Sequence, residues 1–162
     1  GNNLSKKQSR NFINIILTFV DPNNELNNKI FKFIQHSSSG FEGLGKANSN
    51  CGATFGGSLA APSTELENAY IRQQLTEYYA AVNPSEQVRV WMGLYEYLNY
   101  TTNIAYWRFT NGEPYTYADW SRGEPYLDPF ASFTGNILSG QFFHWAVWEG
   151  RSAYPYVCEH KL

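Results

Sequence analysis

The chain has two cysteines, Cys51 and Cys158, and no others. Neither sits in a CxxC pair or a His/Cys cluster, so their economical use is a single disulfide. That bond would tie the closing stretch Tyr154-Pro155-Tyr156-Val157-Cys158-Glu159 to an early helix, and any fold for this sequence must bring its end back to that point. Closing a loop of roughly a hundred residues is worth about 4 to 5 kcal/mol in the chain-entropy model, before native strain is subtracted. The bond persists only in an oxidising compartment, which points to a secreted or cell-surface chain. Two buried, unpaired thiols are the competing reading, because free cysteine packs as a small hydrophobe.

A chain of 162 residues suits one domain with a sizeable core. Rings must supply much of that core, since aromatic residues make up 17% of the sequence and charged ones only 16%, a balance that argues against disorder. The formal charge of -2, without a long run of one sign, lacks the electrostatic footprint of a nucleic-acid binder. No stretch approaches the roughly 20 apolar residues that span a bilayer. The longest apolar run, Phe12 to Val20, contains Asn14 and enters Asp21-Pro22-Asn23-Asn24 without a small-residue cleavage site, so it reads as a strand and not as a signal peptide.

Ile13 to Val20 and Lys29 to Ile34 suggest two strands joined by a long hairpin loop. Leu44, Ala47 or Asn48, and Cys51 fall at helical spacing within Phe41 to Phe55, and Gly56-Gly57 ends that segment. A second helix is expected over Thr64 to Tyr79, with Thr64 and Glu67 as a capping box and Leu66, Ala69, Tyr70 and Leu75 as its apolar face. Val88 to Leu94 reads as a strand with Val88, Val90 and Met92 on one side. From Tyr95 to Gly150 short aromatic strands alternate with turns at Gly112, Pro114, Gly123-Glu124-Pro125, Asp128-Pro129 and Gly140. Irregular stretches of this length are uncommon in compact domains unless functional, which directs attention to Gly112 to Trp145.

The order of motifs resembles the C-type lectin-like domain family. The residues that carry the likeness are Lys46 to Cys51, Gly56-Gly57-Ser58-Leu59-Ala60, Glu65 to Ile71, Trp91-Met92-Gly93-Leu94, Trp107 with Gly112, Tyr117 to Trp120, Gly123-Glu124-Pro125, Trp145 and Tyr154 to Glu159. The resemblance implies an α+β fold in which two helices flank antiparallel β-sheets and a long irregular loop carries the ligand site. It implies a domain over residues 29–162, with residues 1–28 as an N-terminal segment and the extra strand of a hairpin. Trp91, Gly93, Leu94, Trp107 and Trp120 are then core positions, with Gly93 at a close approach of backbone.

Sugar-binding members of the family hold calcium with Glu-Pro-Asn in the long loop and Asn-Asp after a tryptophan, because a hard cation needs six to eight oxygens. Here Tyr126 follows Glu124-Pro125, and Ala146-Val147 follow Trp145. The family's second disulfide is also missing, its positions falling near Asn136 and at Gly150. The usual calcium-dependent site is therefore expected to be absent and no metal ligands are assigned. A rebuilt calcium site from Asp119, Asp128 and Glu149 is the minority reading. Pro125 is a candidate cis proline, the isomer the family uses to shape this loop.

Loop aromatics remain to make contacts. Tyr126 stands where the family's ligand-facing residue would be, and Glu124, Tyr126, Asp128, Phe130 and His144 are the expected ligand-binding set, rings stacking and polar groups hydrogen-bonding. Phe133, Phe142 and Phe143 read more simply as a small core replacing the lost disulfide and calcium.

No catalytic residues are assigned. The three histidines, His36, His144 and His160, form no HExxH, and His36 beside Ser37-Ser38-Ser39 is a polar loop. Asn99-Tyr100-Thr101 and Asn3-Leu4-Ser5 match the N-glycosylation acceptor pattern. Together these readings point to an extracellular, adhesion-type recognition module for a glycan or a cell-surface protein, without the usual calcium. A calcium-dependent lectin with a shifted site and a purely structural domain of a larger adhesin are the alternatives.

Overall fold

The computed structural model describes residues 14–20, 28–35, 43–149 and 153–162. The turn at Asp21 to Asn24, the His36 serine run, the Asn3 motif and Gly150 lie outside the described residues. Two strands, β1 (Asn14–Val20) and β2 (Lys29–Gln35), pair antiparallel as the first hairpin. They are followed by α1 (Leu44–Phe55), the short β3 (Ser58–Leu59) and α2 (Glu65–Val82). The remainder is β4 (Val88–Asn99), β5 (Ile104–Phe109), β6 (Phe130–Asn136), β7 (Gln141–Trp148) and β8 (Tyr156–Lys161).

The strands form one mixed sheet in the order β1-β2-β8-β4-β6-β7, with β3 alongside β8 and β5 alongside β4. The last strand therefore lies in the middle, antiparallel to β2 and touching β4 in parallel at Trp91 and Tyr156. Cys158 on β8 meets Cys51 on α1 in a disulfide with Cα atoms 5.5 Å apart, and both residues are fully buried.

Each helix end follows its local chemistry. Gly56, in left-handed backbone at φ 70°, ends α1, a conformation that costs glycine little. Thr64 caps α2 by accepting from the Glu67 amide while the Glu67 carboxylate accepts from the Thr64 amide. The expected apolar face of α2 needs correction. Leu66 is 46% exposed and Ala69 faces solvent, whereas the buried positions are Glu67, Asn68, Ile71, Leu75 and Tyr79. The helix is rotated from its hydrophobic reading because Glu67 and Asn68 find polar partners in the interior.

Glu67 meets Lys29 of β2 at 2.7 Å, and Lys29 also contacts Glu113 at 2.6 Å, Glu159 at 3.5 Å and the Ala61 carbonyl at 3.0 Å. Lys29, Glu67 and Glu159 are almost wholly buried, so the first hairpin, α2 and β8 are pinned at one point by a single cation among three carboxylates. Burial pushes the pKa of Glu159 up to about 7 against the pull of Lys29. Burial also opposes the charge on Glu113, but hydrogen bonds from Lys29 and Ser63 hold that carboxyl below its ordinary value.

The core has two parts. Phe31, Phe33, Ile71, Leu75, Val90, Met92, Leu94, Phe109, Phe133, Phe143 and Trp145 pack between α2 and one face of the sheet. The smaller part gathers Ile34, Leu44, Ala47, Leu59, Trp91 and Tyr156 around the disulfide on the α1 side. Strand β4 lies between them, which is why Val90, Met92 and Leu94 serve one cluster and Trp91 the other. Gly93 is a close approach of backbone, as the motif implied: its amide donates to the Ala60 carbonyl, its carbonyl accepts from Thr110, and a Cβ would stand 2.3 Å from the Thr110 hydroxyl oxygen.

Candidate functional site

Between β5 and β6 the backbone runs irregularly from Thr110 to Pro129, held down by rings and by β7. Trp120 lies 4.9 Å from Trp107 and 5.6 Å from Trp145 between ring centres, and its indole N–H donates to the Tyr115 hydroxyl at 2.9 Å. Main-chain bonds from Trp145 to the Asp119 carbonyl and from Ser121 to the Trp145 carbonyl, both 2.8 Å, lace this loop along β7. Trp107 and Trp120 are half-buried and form the floor of the loop, packed against the main core rather than sealed within it.

The functional stretch expected as Gly112 to Trp145 is thus not one loop, since β6 and most of β7 fall inside it. Phe133 and Phe143 are fully buried but belong to the main core and not to a separate small one, whereas Phe142 is 42% exposed and lies outside both clusters. Phe143 takes φ 62° where the β6–β7 register shifts, and its ring rests on Gly135, where any Cβ would come within 2.9 Å of it. Beyond that shift ordinary alternation holds: Phe143 and Trp145, two residues apart, both enter the core and His144 between them turns outward.

His144 belongs to a polar network that reaches back to α2. Its Nδ1 lies 2.8 Å from Asp119 Oδ1, and its Nε2 lies 2.9 Å from the guanidinium of Arg72. Arginine can only donate, so in this contact Nε2 is the acceptor and the Nδ1 side of the ring faces Asp119. Asn68 donates to the other Asp119 oxygen at 2.7 Å and accepts from the Trp145 indole at 2.8 Å. Burial, reinforced by the Asp119 carboxylate, raises the pKa of Tyr117 beside them.

At the loop tip Glu124 precedes a cis bond to Pro125. Its Oε2 accepts from the amides of Tyr126 at 2.9 Å and Val147 at 3.3 Å, so this carboxylate shapes the loop. The loop, β6, β7 and the start of β4 enclose an open cleft of about 510 Å³. Glu124, Tyr126, Asp128 and His144 line it together, joined by Arg89, Arg122 and Trp148, which the sequence reading did not select. Tyr126 stands at its rim, 72% exposed. Arg89 holds its guanidinium 3.9 Å from the centre of the Trp148 ring. Phe130, the fifth expected contact, is elsewhere: it packs toward the disulfide cluster and borders a separate hollow with Leu44, Asn48 and Tyr95.

The cleft residues do not fit the family's calcium. Ala146 and Val147 are nearly buried and carry no donor atom, and one oxygen of Glu124 is already shared by two backbone amides. Both oxygens of Asp119 are engaged, Glu149 is exposed beyond β7, and among the described residues no three His, Cys, Asp or Glu side chains gather as a metal site.

The family profile described as Lectin C-type domain matches residues 42–160. The secretory phospholipase A2 receptor of Homo sapiens is 30% identical over 118 residues, 72% of this chain, and that of Pongo abelii is 31% identical over 121 residues, 72% of this chain. The match spans only 7% of either receptor. Among solved structures, human lithostathine superposes with a TM-score of 0.66 at 20% identity, covering 90% of this chain and 97% of that one. CEL-IV gives 0.63 at 18% identity over 90% and 97% of the two chains.

Proposed function

The chain belongs to the C-type lectin domain family, and from that membership we propose that it is an extracellular recognition module that holds a saccharide in the cleft beneath Tyr126, without calcium and without performing a reaction. The observation that carries the reading is the exposed Tyr126 ring beside a cleft that combines guanidinium, carboxylate, imidazole and amide groups. Such a ring stacks on the apolar face of a sugar while the polar lining meets its hydroxyls. A disulfide between α1 and β8 supports the extracellular assignment, because reducing compartments do not keep such bonds.

Titration calorimetry with a ligand drawn from a glycan array tests it. Tyr126→Ala is expected to weaken binding about 10-fold, the size of one lost stacking contact, while EDTA leaves affinity unchanged. Loss of binding in EDTA, restored by calcium, overturns the calcium-free reading. A protein surface is the second reading, favoured by Leu127, which is 82% exposed next to Tyr126 and offers an apolar anchor. An empty glycan array together with a partner captured in a Leu127-dependent way would move the assignment there.

A further inference from the structure

We propose that Asn99 is the acceptor of an N-linked glycan, and that this glycan covers the projecting end of the β4–β5 hairpin. The hairpin leaves the core after Leu94. Beyond that point the cross-strand pairs Tyr97 with Tyr106, Leu98 with Ala105 and Asn99 with Ile104 carry exposed apolar side chains on both faces, and Tyr100 at the tip is 88% exposed. Apolar surface in this amount on a two-stranded projection calls for a cover, the more so because among the described residues β5 pairs with β4 alone and presents an edge.

The turn that closes the hairpin is the sequence Asn99-Tyr100-Thr101, the acceptor pattern of N-glycosylation. Asn99 Oδ1 accepts from the amides of Thr101 at 2.9 Å and Thr102 at 3.3 Å, and the Asn99 carbonyl accepts from Asn103 at 2.7 Å. With Oδ1 fixed on those amides, Nδ2 is turned to the other side of the same carbon. It donates to no group among the described residues. Thr101 is exposed, so the folded site accommodates a bulky substituent without disturbing the core.

The disulfide points to the same compartment, for oxidative folding and transfer of glycans both belong to the secretory route. The donor class is a lipid-pyrophosphate-linked oligosaccharide. The Asn99 Nδ2 bonds to C1 of the transferred sugar as the bond from C1 to the pyrophosphate oxygen breaks. One amide proton is lost, and the lipid pyrophosphate departs.

The test is secretion of the full chain from a eukaryotic cell, followed by residue-level mass spectrometry after peptide-N-glycosidase treatment, which converts an occupied Asn99 to Asp and so separates it from the Asn3 motif. Occupancy of Asn99, complete loss in Thr101→Ala and retention in Thr101→Ser are expected. An unmodified Asn99 in secreted, disulfide-bonded protein overturns the proposal. For the covering role, enzymatic deglycosylation of the folded protein is expected to raise hydrophobic-dye fluorescence several-fold. Unchanged fluorescence overturns that part, and this readout does not depend on any variant folding.

Discussion

At the scale of single residues, the point that governs how the protein responds to pH is Lys29 with its three carboxylates. Burial raises the pKa of Glu159 to about 7 against the pull of Lys29 and the Ala61 amide, and the neighbouring Glu113 and Glu67 carboxylates add to that rise. A carboxyl whose pKa is raised in the folded state binds its proton more tightly there than in the unfolded chain. Its contribution to stability is complete below the ordinary value of 4.5 and is lost as pH rises through about 7. Glu113 acts in the opposite sense, contributing above the ordinary carboxylate range and losing that contribution as pH falls through its lowered pKa. The melting temperature is therefore expected to decline between about pH 5 and pH 7.5, by an amount on the order of a few kcal/mol in stability, and then to level off. Glu159→Gln should flatten that decline. A variant that melts with the wild-type slope over this window would show that the proton resides elsewhere.

Among the elements, β4 is packed on both faces. Its Gly93 exchanges hydrogen bonds with Ala60 and Thr110 at a separation that leaves no room for a methyl group. Gly93→Ala is expected to cost about 1 to 3 kcal/mol, read as a lower midpoint in urea with unchanged slope. The role of Gly93 came from the resemblance carried by Trp91-Met92-Gly93-Leu94 and the disulfide from the two lone cysteines, whereas both helices and the first hairpin were legible because local spacing, turn residues and capping chemistry encode them. The buried face of α2 was not legible. Glu67 and Asn68 look like surface residues until Lys29, Asp119 and Trp145 are brought to them from distant parts of the chain. The same holds for the cleft. The motif around Glu124 and Tyr126 could be read directly, but Arg89 and Trp148 become neighbours only through sheet pairing, when β6 sets β4 and β7 on its two sides. Phe130 was misplaced because a residue's face is decided by strand register, which the aromatic character of its segment does not reveal.

For the molecule as a whole, the disulfide joins the last strand to the first described helix at the centre of the smaller core. Replacing both cysteines by serine is expected to lower unfolding free energy by roughly 3 to 5 kcal/mol, from the lost loop constraint together with two hydroxyls placed in an apolar cluster. Denaturant titration of the oxidised wild type against the double variant measures it, and a difference below about 1 kcal/mol would mean that the sheet alone sets the chain's course. The order of strands has one more effect. Because β1, β2 and β8 occupy one side of the sheet while the cleft opens over β6 and β7, the last strand leaves beside the first hairpin, with the Leu162 amide bonded to the Asn28 carbonyl at 2.8 Å. A tether at the carboxyl end, whether a sensor chip or a fused carrier, holds the molecule on the first-hairpin side of the sheet and leaves the cleft over β6 and β7 free.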